Sequence, residues 1–414
     1  VAETDFFSQD HQLIFQTMRS LSAESKPLDV ITLSETLQNT NKLEQVGGAA
    51  YLVELANNTP SSANIGAYAQ IVLERSIIRQ LINAASDIVK KGYNPLGWDS
   101  SKLLAEAEQK LSDIIENRPK QGGFQGVNEL IKEAIGRIDE LFNSDADITG
   151  LSTSFSELDS MTSGWQQSDL IIVAGRPSMG KTSLAMNMVE HAVLHQEKPV
   201  LVFSMEMPAN QLIMRMMSSI GKIDQTKMRS GNLSEDDWPR LSSAASRLKD
   251  RPLYIDDTPG ITPMELRNRV RQLTREHGET GLIMVDYLQL MSGSVPTENR
   301  TNEITQISRE LKNIAREFNC PVIALSQLSR NLESRPNKRP INSDLRESGA
   351  IEQDADVIVF IYRDEVYNEE STDKGTAEII IGKQRNGPIG TCHLAFLGKY
   401  TRFENLARDY FADE

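Results

Sequence analysis

Cysteine is nearly absent: Cys320 and Cys392 are the only two in 414 residues. Two thiols cannot build a disulfide framework or a four-cysteine zinc site, and they fit a reducing cytosol. Aromatic residues make up 6% of the chain, which favours helices packed with Ala, Ile and Leu over a large all-β sandwich. No apolar run reaches the roughly 18 residues of a membrane span, and stretches such as Leu170–Gly175 and Val357–Ile361 have the length of buried strands. Positive charge is in deficit, with 44 Lys and Arg against 58 Asp and Glu, for a net charge of −14. That excludes a general polyanion coat but leaves room for a small, local basic surface. No internal repeat or low-complexity segment is evident. The chain opens at Val1 without the charged and apolar regions of a signal peptide, so a cytoplasmic location is expected. The missing initiator Met is expected of a trimmed version of a longer chain.

The length suggests two or three domains. Residues 1–118 have helical periodicity, with Ile71, Ile78, Leu81, Ala85 and Val89, then Leu104, Leu111 and Ile114, at helical spacing. Gly47-Gly48 and Asn57–Pro60 punctuate the helices. No catalytic pattern occurs here, so this part is expected to be a packing or protein-interaction domain. Residues 119–149 look like a linker, opening on Pro119–Gly123 and carrying one amphipathic stretch from Leu130 to Phe142. That stretch can bury its apolar stripe on its own chain or on a neighbouring subunit.

From residue 150 the texture alternates between β and α. Strands are expected at 170–174, 199–204, 252–255, 281–286, 321–326, 356–362, 377–383 and 391–397, with helices at 181–195, 263–277 and 302–318. Such alternation argues for an α/β fold with a mostly parallel sheet and helices on both faces. The last two strands, joined through Asn386–Ile389, suggest a hairpin at one edge.

The most specific motif is Gly175–Thr182, which matches G-x-x-x-x-G-K-[ST] in full, after a strand and before a helix. Glycines let successive backbone N–H groups point at a phosphate, and the helix start adds its positive dipole end. Lys181 would reach the β- and γ-phosphates, and Thr182 would offer its hydroxyl to Mg²⁺. Three later strands end in polar groups. Leu282–Asp286 delivers a carboxylate suited to supporting Mg²⁺, with Tyr254–Asp256 as a second candidate. Glu206, after Val200–Met205, is suited to orient or deprotonate an attacking water. Gln327 closes Ile323–Ser326 and is suited to sensing a γ-phosphate. For Glu206 and Gln327 the residues equally allow an ordinary polar strand end.

Gly175–Thr182, Phe203–Met207, Val285–Leu290, Ala324–Leu328, Asp344–Gly349 and Gly382–Gly387 occur in one order. Together they resemble the hexameric replicative DNA helicases of bacteria, the DnaB family, over the whole chain. The resemblance implies a helical N-terminal domain incomplete at its start, a linker helix and a RecA-like P-loop ATPase motor over 150–414. It implies ATP and Mg²⁺ bound between six subunits, with Ser178, Met179, Gly180, Lys181, Thr182 and Ser183 around the phosphates. Thr182 and Asp286 would serve the metal, Glu206 would be the catalytic base, and Gln327 the sensor. Lys383 and Arg385 would reach into the next subunit's ATP, with Gln384 near the same nucleotide and Arg215 near the phosphates. Single-stranded DNA would be gripped by Arg346, Glu347 and Gly349, in a segment, 329–349, that holds five basic residues against three acids. Primase, a helicase loader and a clamp-loader subunit of the replisome are further partners the resemblance implies.

Besides the incomplete start, two features depart from that family's pattern. Ser152 and Ser154 stand where Pro and Gly are common. Ser292–Thr297, placed where a second DNA loop belongs, carries no basic residue. Arg267, Arg271 and Arg275 form a basic helical stripe that suggests a solvated or intersubunit face. The expected function is an ATP-driven helicase translocating on single-stranded DNA. Rival readings are another RecA-like ATPase acting in recombination or repair, a nucleotide-gated ring scaffold, and a P-loop kinase.

Overall fold

A computed structural model describes the chain apart from residues 59–64, 95–98, 117–126, 129, 133–134, 137–138, 140–147, 294–299, 346–348 and 407–414. The chain divides into two compact units, Val1–Leu130 and Ile131–Glu414. Most of the amphipathic stretch 130–142 lies outside the described residues. No described helix is long and apolar enough to cross a membrane.

The first unit is helical. Helices Gln9–Ala23, Val30–Asn39 and Gly48–Asn57 close on a small core of Ile14, Leu21, Leu33, Leu37, Val46 and Leu52. Asp29 starts the second helix by accepting the Thr32 N–H at 2.8 Å, a side-chain N-cap. The long helix Ile65–Tyr93 pairs with Ser100–Glu116, joined by Lys110–Asp87 at 3.0 Å and by Lys91–Glu106. Part of the apolar periodicity of this pair faces outward: Ile71, Ile78, Leu81, Val89, Leu104 and Leu111 are exposed in the single chain.

The second unit is built on a nine-stranded sheet in the order β3-β2-β4-β5-β1-β6-β7-β8-β9. The strands are β1 Leu170–Gly175, β2 Val200–Ser204, β3 Leu253–Asp256, β4 Leu282–Asp286, β5 Val322–Gln327, β6 Val357–Tyr362, β7 Thr376–Gln384, β8 Gly390–Leu397 and β9 Arg402–Asn405. The first six run parallel and the last three antiparallel. The central strands are buried on both faces, and their period of two sends Ile171 and Val173 to one core and Leu170, Ile172 and Ala174 to the other. Cys392 belongs to the first core and Cys320 to the second, and burial pushes each thiol up to about 12. They are kept apart as unreactive core residues.

All eight expected strands are present within a residue or two. β9, which was not expected, pairs with β8 and makes the edge in place of the hairpin. Arg402 anchors it to the helix Lys181–His195, pairing with Glu190 at 2.8 Å, and the Phe403 N–H donates to Asn187 Oδ1 at 2.8 Å. Ser154 takes φ +76°, the conformation a glycine adopts at no steric cost. The turn there survives because Asp159 accepts from the Ser152 hydroxyl at 2.7 Å and from the Thr153 N–H at 2.9 Å. The basic stripe is partly an intrachain contact: Arg267 and Arg271 both pair with Glu317 at 2.6 Å, joining Pro263–His277 to Arg300–Phe318.

Candidate functional site: a phosphate loop at the carboxyl edge of the sheet

Parallel strands place their ends together. Gly175 is in register with Gln327, and Ser204 with Asp286. The polar groups expected after β1, β2, β4 and β5 therefore meet at one edge, where open α/β sheets bind ligands. A cavity of about 370 Å³ lies there, lined by Pro177, Ser178, Gly180–Ser183, Glu206, Arg215, Tyr287, Gln327, Phe396 and Thr401.

The loop geometry follows from its residues. Ser178 and Gly180 have φ of +69° and +97°. Gly180 suits its positive φ, and a Cβ there would also crowd the Phe403 ring at 3.0 Å. Met179 is buried in the core, so only its backbone is available to a ligand. Lys181 Nζ donates to the Gly175 and Arg176 carbonyls at 2.9 and 3.3 Å, and burial lowers its pKa. Thr182 Oγ1 donates to Asp286 Oδ2 at 2.9 Å. Burial pushes the Asp286 carboxyl up to about 6, against the pull of the Thr182 hydroxyl and with a further push from Glu206. Burial likewise lowers the Arg215 pKa, and among the described residues the buried Arg215 Nε has no hydrogen-bond partner. An unpaired cationic donor at a cavity wall suits an anion. Gln289 fixes the end of β5: its amide donates to Ser326 Oγ at 3.0 Å, and its Oε1 accepts the Gln327 N–H at 3.2 Å.

The second candidate carboxylate, Asp256, is placed elsewhere. It ends edge strand β3 and is paired with Arg269.

The structure brings Ser178, Gly180, Lys181, Thr182, Ser183, Glu206, Arg215 and Gln327 to one cavity, with Asp286 beneath Thr182. It places Lys383, Gln384 and Arg385 at the opposite edge. Arg385 N–H donates to the Asp356 carbonyl, and Asp356 N–H donates to the carbonyl of Leu170, where β1 begins. The phosphate loop starts where β1 ends, about 17–20 Å away for a six-residue strand. A bulge opposite Ile358/Val359 sets the face of Lys383, and Gly382 is needed there because a Cβ would meet the Phe360 ring at 2.5 Å. Lys383 donates to the Glu352, Gln353 and Ala355 carbonyls, and Arg385 to Gln353 O at 2.7 Å and Asp356 Oδ1 at 3.1 Å. The two cations thus cap the helix Gly349–Asp354.

Of the expected DNA residues, Gly349 begins that helix, while Arg346 and Glu347 lie outside the described residues, as do residues 294–297 of the other segment. One charge of the basic surplus over 329–349 is neutralised within the chain, since Arg339 pairs with Glu378 at 2.6 Å, while Arg335 pairs with Asp344 of the same segment at 2.6 Å.

Tyr287, Phe396 and Thr401 were missed. Phe396 and Thr401 are carried by the β8–β9 return, which no linear motif marks.

The chain matches the model of the DnaB-like helicase C-terminal domain over residues 150–405 and that of the DnaB-like helicase N-terminal domain over 1–74. This chain belongs to the DnaB family of replicative helicases. A replicative DNA helicase DnaB of Pasteurella multocida is 54% identical over 97% of this chain and 87% of its own length. One of Buchnera aphidicola is 51% identical over 100% of this chain and 90% of its own. A solved DnaB-like replicative helicase, described together with its interactions with primase, superposes with a TM-score of 0.79 at 34% identity, covering 98% of this chain and 94% of that one. As a DnaB-family helicase it carries a RecA-like ATPase domain and a helical N-terminal region.

Proposed function

We propose that this DnaB-family chain is the subunit of a hexameric ring in the cytoplasm that hydrolyses ATP, translocates on single-stranded DNA and separates the duplex at the replication fork. The observation that carries the site assignment is the Thr182–Asp286 hydrogen bond beneath a phosphate loop whose cavity also holds Glu206, Arg215 and Gln327. The cavity fits a triphosphate, with Lys181 and Arg215 supplying positive charge and the loop its backbone donors. Magnesium, when bound, would neutralise charge on the β- and γ-phosphates, with Thr182 and Asp286 holding it. Glu206 lies at the cavity wall, where a carboxylate orients a water for in-line attack, and Gln327 registers the γ-phosphate.

Arg385 and Lys383 stand too far from their own phosphate loop to serve it, which supports a role at the neighbour's nucleotide. A planar guanidinium is suited to the charge that spreads over the γ-phosphoryl group in transfer. The DNA-contacting segment Arg346–Gly349 is flanked by two anchors. On one side Leu345 bridges Leu328, whose carbonyl accepts from Arg176 of the phosphate loop at 2.9 Å. On the other side the helix from Gly349 ends on Lys383 and Arg385. One anchor answers to the subunit's own nucleotide and the other to its neighbour's, so turnover at either site shifts the grip on DNA. Arg346 and backbone N–H groups can hold phosphates without reading bases. Primase, a loader and a clamp-loader subunit are the partners proposed for the ring.

The test is ATP hydrolysis with and without single-stranded DNA, on protein whose mass in solution is measured in the same buffer. A hexamer with DNA-stimulated hydrolysis, lost in Lys181→Ala, and unwinding of a forked duplex is the expected result. A ring that hydrolyses ATP indifferently to DNA and leaves the fork paired would sink the motor reading.

A further inference from the structure

Arg363 follows β6 and is not among the residues that line the cavity. Its side chain is only 12% exposed. Nη1 donates to the carbonyl of Ser178, in the phosphate loop, at 3.0 Å. The guanidinium carbon lies 3.9 Å from the centroid of the Phe396 ring, within cation–π range. Nε and Nη2 both donate to Glu365, Nε at 3.0 Å. Glu365 in turn accepts the Gly375 N–H at 3.0 Å, and the Gly375 carbonyl accepts the N–H of Phe396 at 2.6 Å. The circuit therefore closes: Arg363 touches Phe396 through its ring and, by way of Glu365 and Gly375, through its backbone.

Two of the groups so held, Ser178 and Phe396, are walls of the same cavity. Ser178 is a non-glycine residue at φ +69°, a conformation that needs support from its surroundings. In a trans peptide the carbonyl of one residue and the N–H of the next point in opposite directions. Binding the Ser178 carbonyl therefore turns the Met179 N–H the other way, where it meets the Arg176 carbonyl at 3.3 Å. Arg suits this position and Lys does not, because the fork serves Ser178 and Glu365 together while its flat face lies on the ring.

We propose that Arg363 is a positioning residue for the nucleotide reaction, fixing the Ser178–Met179 peptide of the phosphate loop against the Phe396 wall so that the loop keeps its anion-receiving shape. This rests on reading the cavity as the ATP site. Preorganisation of this kind acts on binding more than on the chemical step.

The experiment is steady-state ATP hydrolysis by full-length rings of Arg363→Ala, Arg363→Lys, Phe396→Leu and Lys181→Ala, with melting temperature and solution mass recorded for each. Arg363→Ala should raise KM for ATP about tenfold, the worth of one charge-assisted hydrogen bond, with a much smaller fall in kcat. Arg363→Lys should lie between it and the parent chain. Phe396→Leu should move KM the same way by less, and it serves if Arg363→Ala does not fold. An unchanged KM in folded, hexameric Arg363→Ala would overturn the proposal. So would a fall in kcat at constant KM, which would make Arg363 act on the reacting phosphate itself. If Lys181→Ala also left hydrolysis intact, the ATP-site reading would have failed instead.

Discussion

Thr182 donates its hydroxyl proton to Asp286 across 2.9 Å, and Asp286 is 1% exposed. A buried carboxylate is costly unless a cation stands beside it. Here burial has raised the carboxyl to about 6, well above an unfolded aspartate. The sign of the linkage follows. Between about pH 4 and 6 the folded chain binds a proton that the unfolded chain has released, so this group lowers stability as pH rises through that window. Asp286→Asn keeps an acceptor for Thr182 and removes the charge. In magnesium-free, nucleotide-free buffer it should stabilise the motor by on the order of 2 kcal/mol at pH 7.5 and by almost nothing at pH 4. ATP hydrolysis should be lost. Thermal melts at the two pH values check this, and equal shifts at both would refute the assignment.

Ser154 offers a stability test away from the site. Its φ of +76° costs an L-residue about 1–2 kcal/mol, and a glycine there gives back roughly 0.5–1 kcal/mol through its freer unfolded state. Ser154→Gly should therefore raise the melting temperature by about 1–3 °C with activity unchanged. Ser152→Ala should lower it, because the Ser152 hydroxyl bonds both Asp159 and the Ser154 N–H. A lower melting temperature for Ser154→Gly would mean that the serine side chain contributes more than its backbone costs.

Arg176 sits inside the phosphate loop with its side chain 9% exposed, bonded to the Leu328 carbonyl and to Glu333. Leu328 follows Gln327 and bridges Leu345, the residue before the segment proposed to contact DNA. Arg176→Met keeps the apolar stem and removes both bonds. Its ratio of DNA-stimulated to unstimulated ATP turnover should fall towards one. Retention of the parent ratio would show that the coupling runs elsewhere.

Most of this architecture was legible because it is written in local patterns. The apolar runs ending in Asp286, Glu206 and Gln327 sit in parallel strands whose ends must align, so a linear list of polar strand ends became one cavity. Phe396 and Thr401 were not legible. They reach the cavity only because β9 folds back along β8 and Asn187 and Glu190 hold it to the phosphate-loop helix. β9 itself is four residues long, too short to show a period. The helix carrying Ile71, Ile78 and Val89 was legible and its outward face was not: spacing reports a helix, but not whether its apolar stripe is covered within the same chain.

The placement of Arg385 leads to a test of where it acts. It stands at the start of β1 and β6, across the sheet from Lys181, so one subunit cannot join the two at one phosphate. Arg385→Ala rings retain intact phosphate loops and lack the guanidinium, whereas Lys181→Ala rings retain the guanidinium and lack a working loop. Each alone should be inactive. In a head-to-tail ring mixed at equal amounts, about a quarter of interfaces would pair a good loop with a good arginine, so unstimulated hydrolysis should return. The measurement is ATP turnover after subunit exchange, with mixed rings verified by mass. Continued silence in verified mixed rings would place Arg385 outside the reaction, leaving its bonds to Gln353 and Asp356 as its whole contribution.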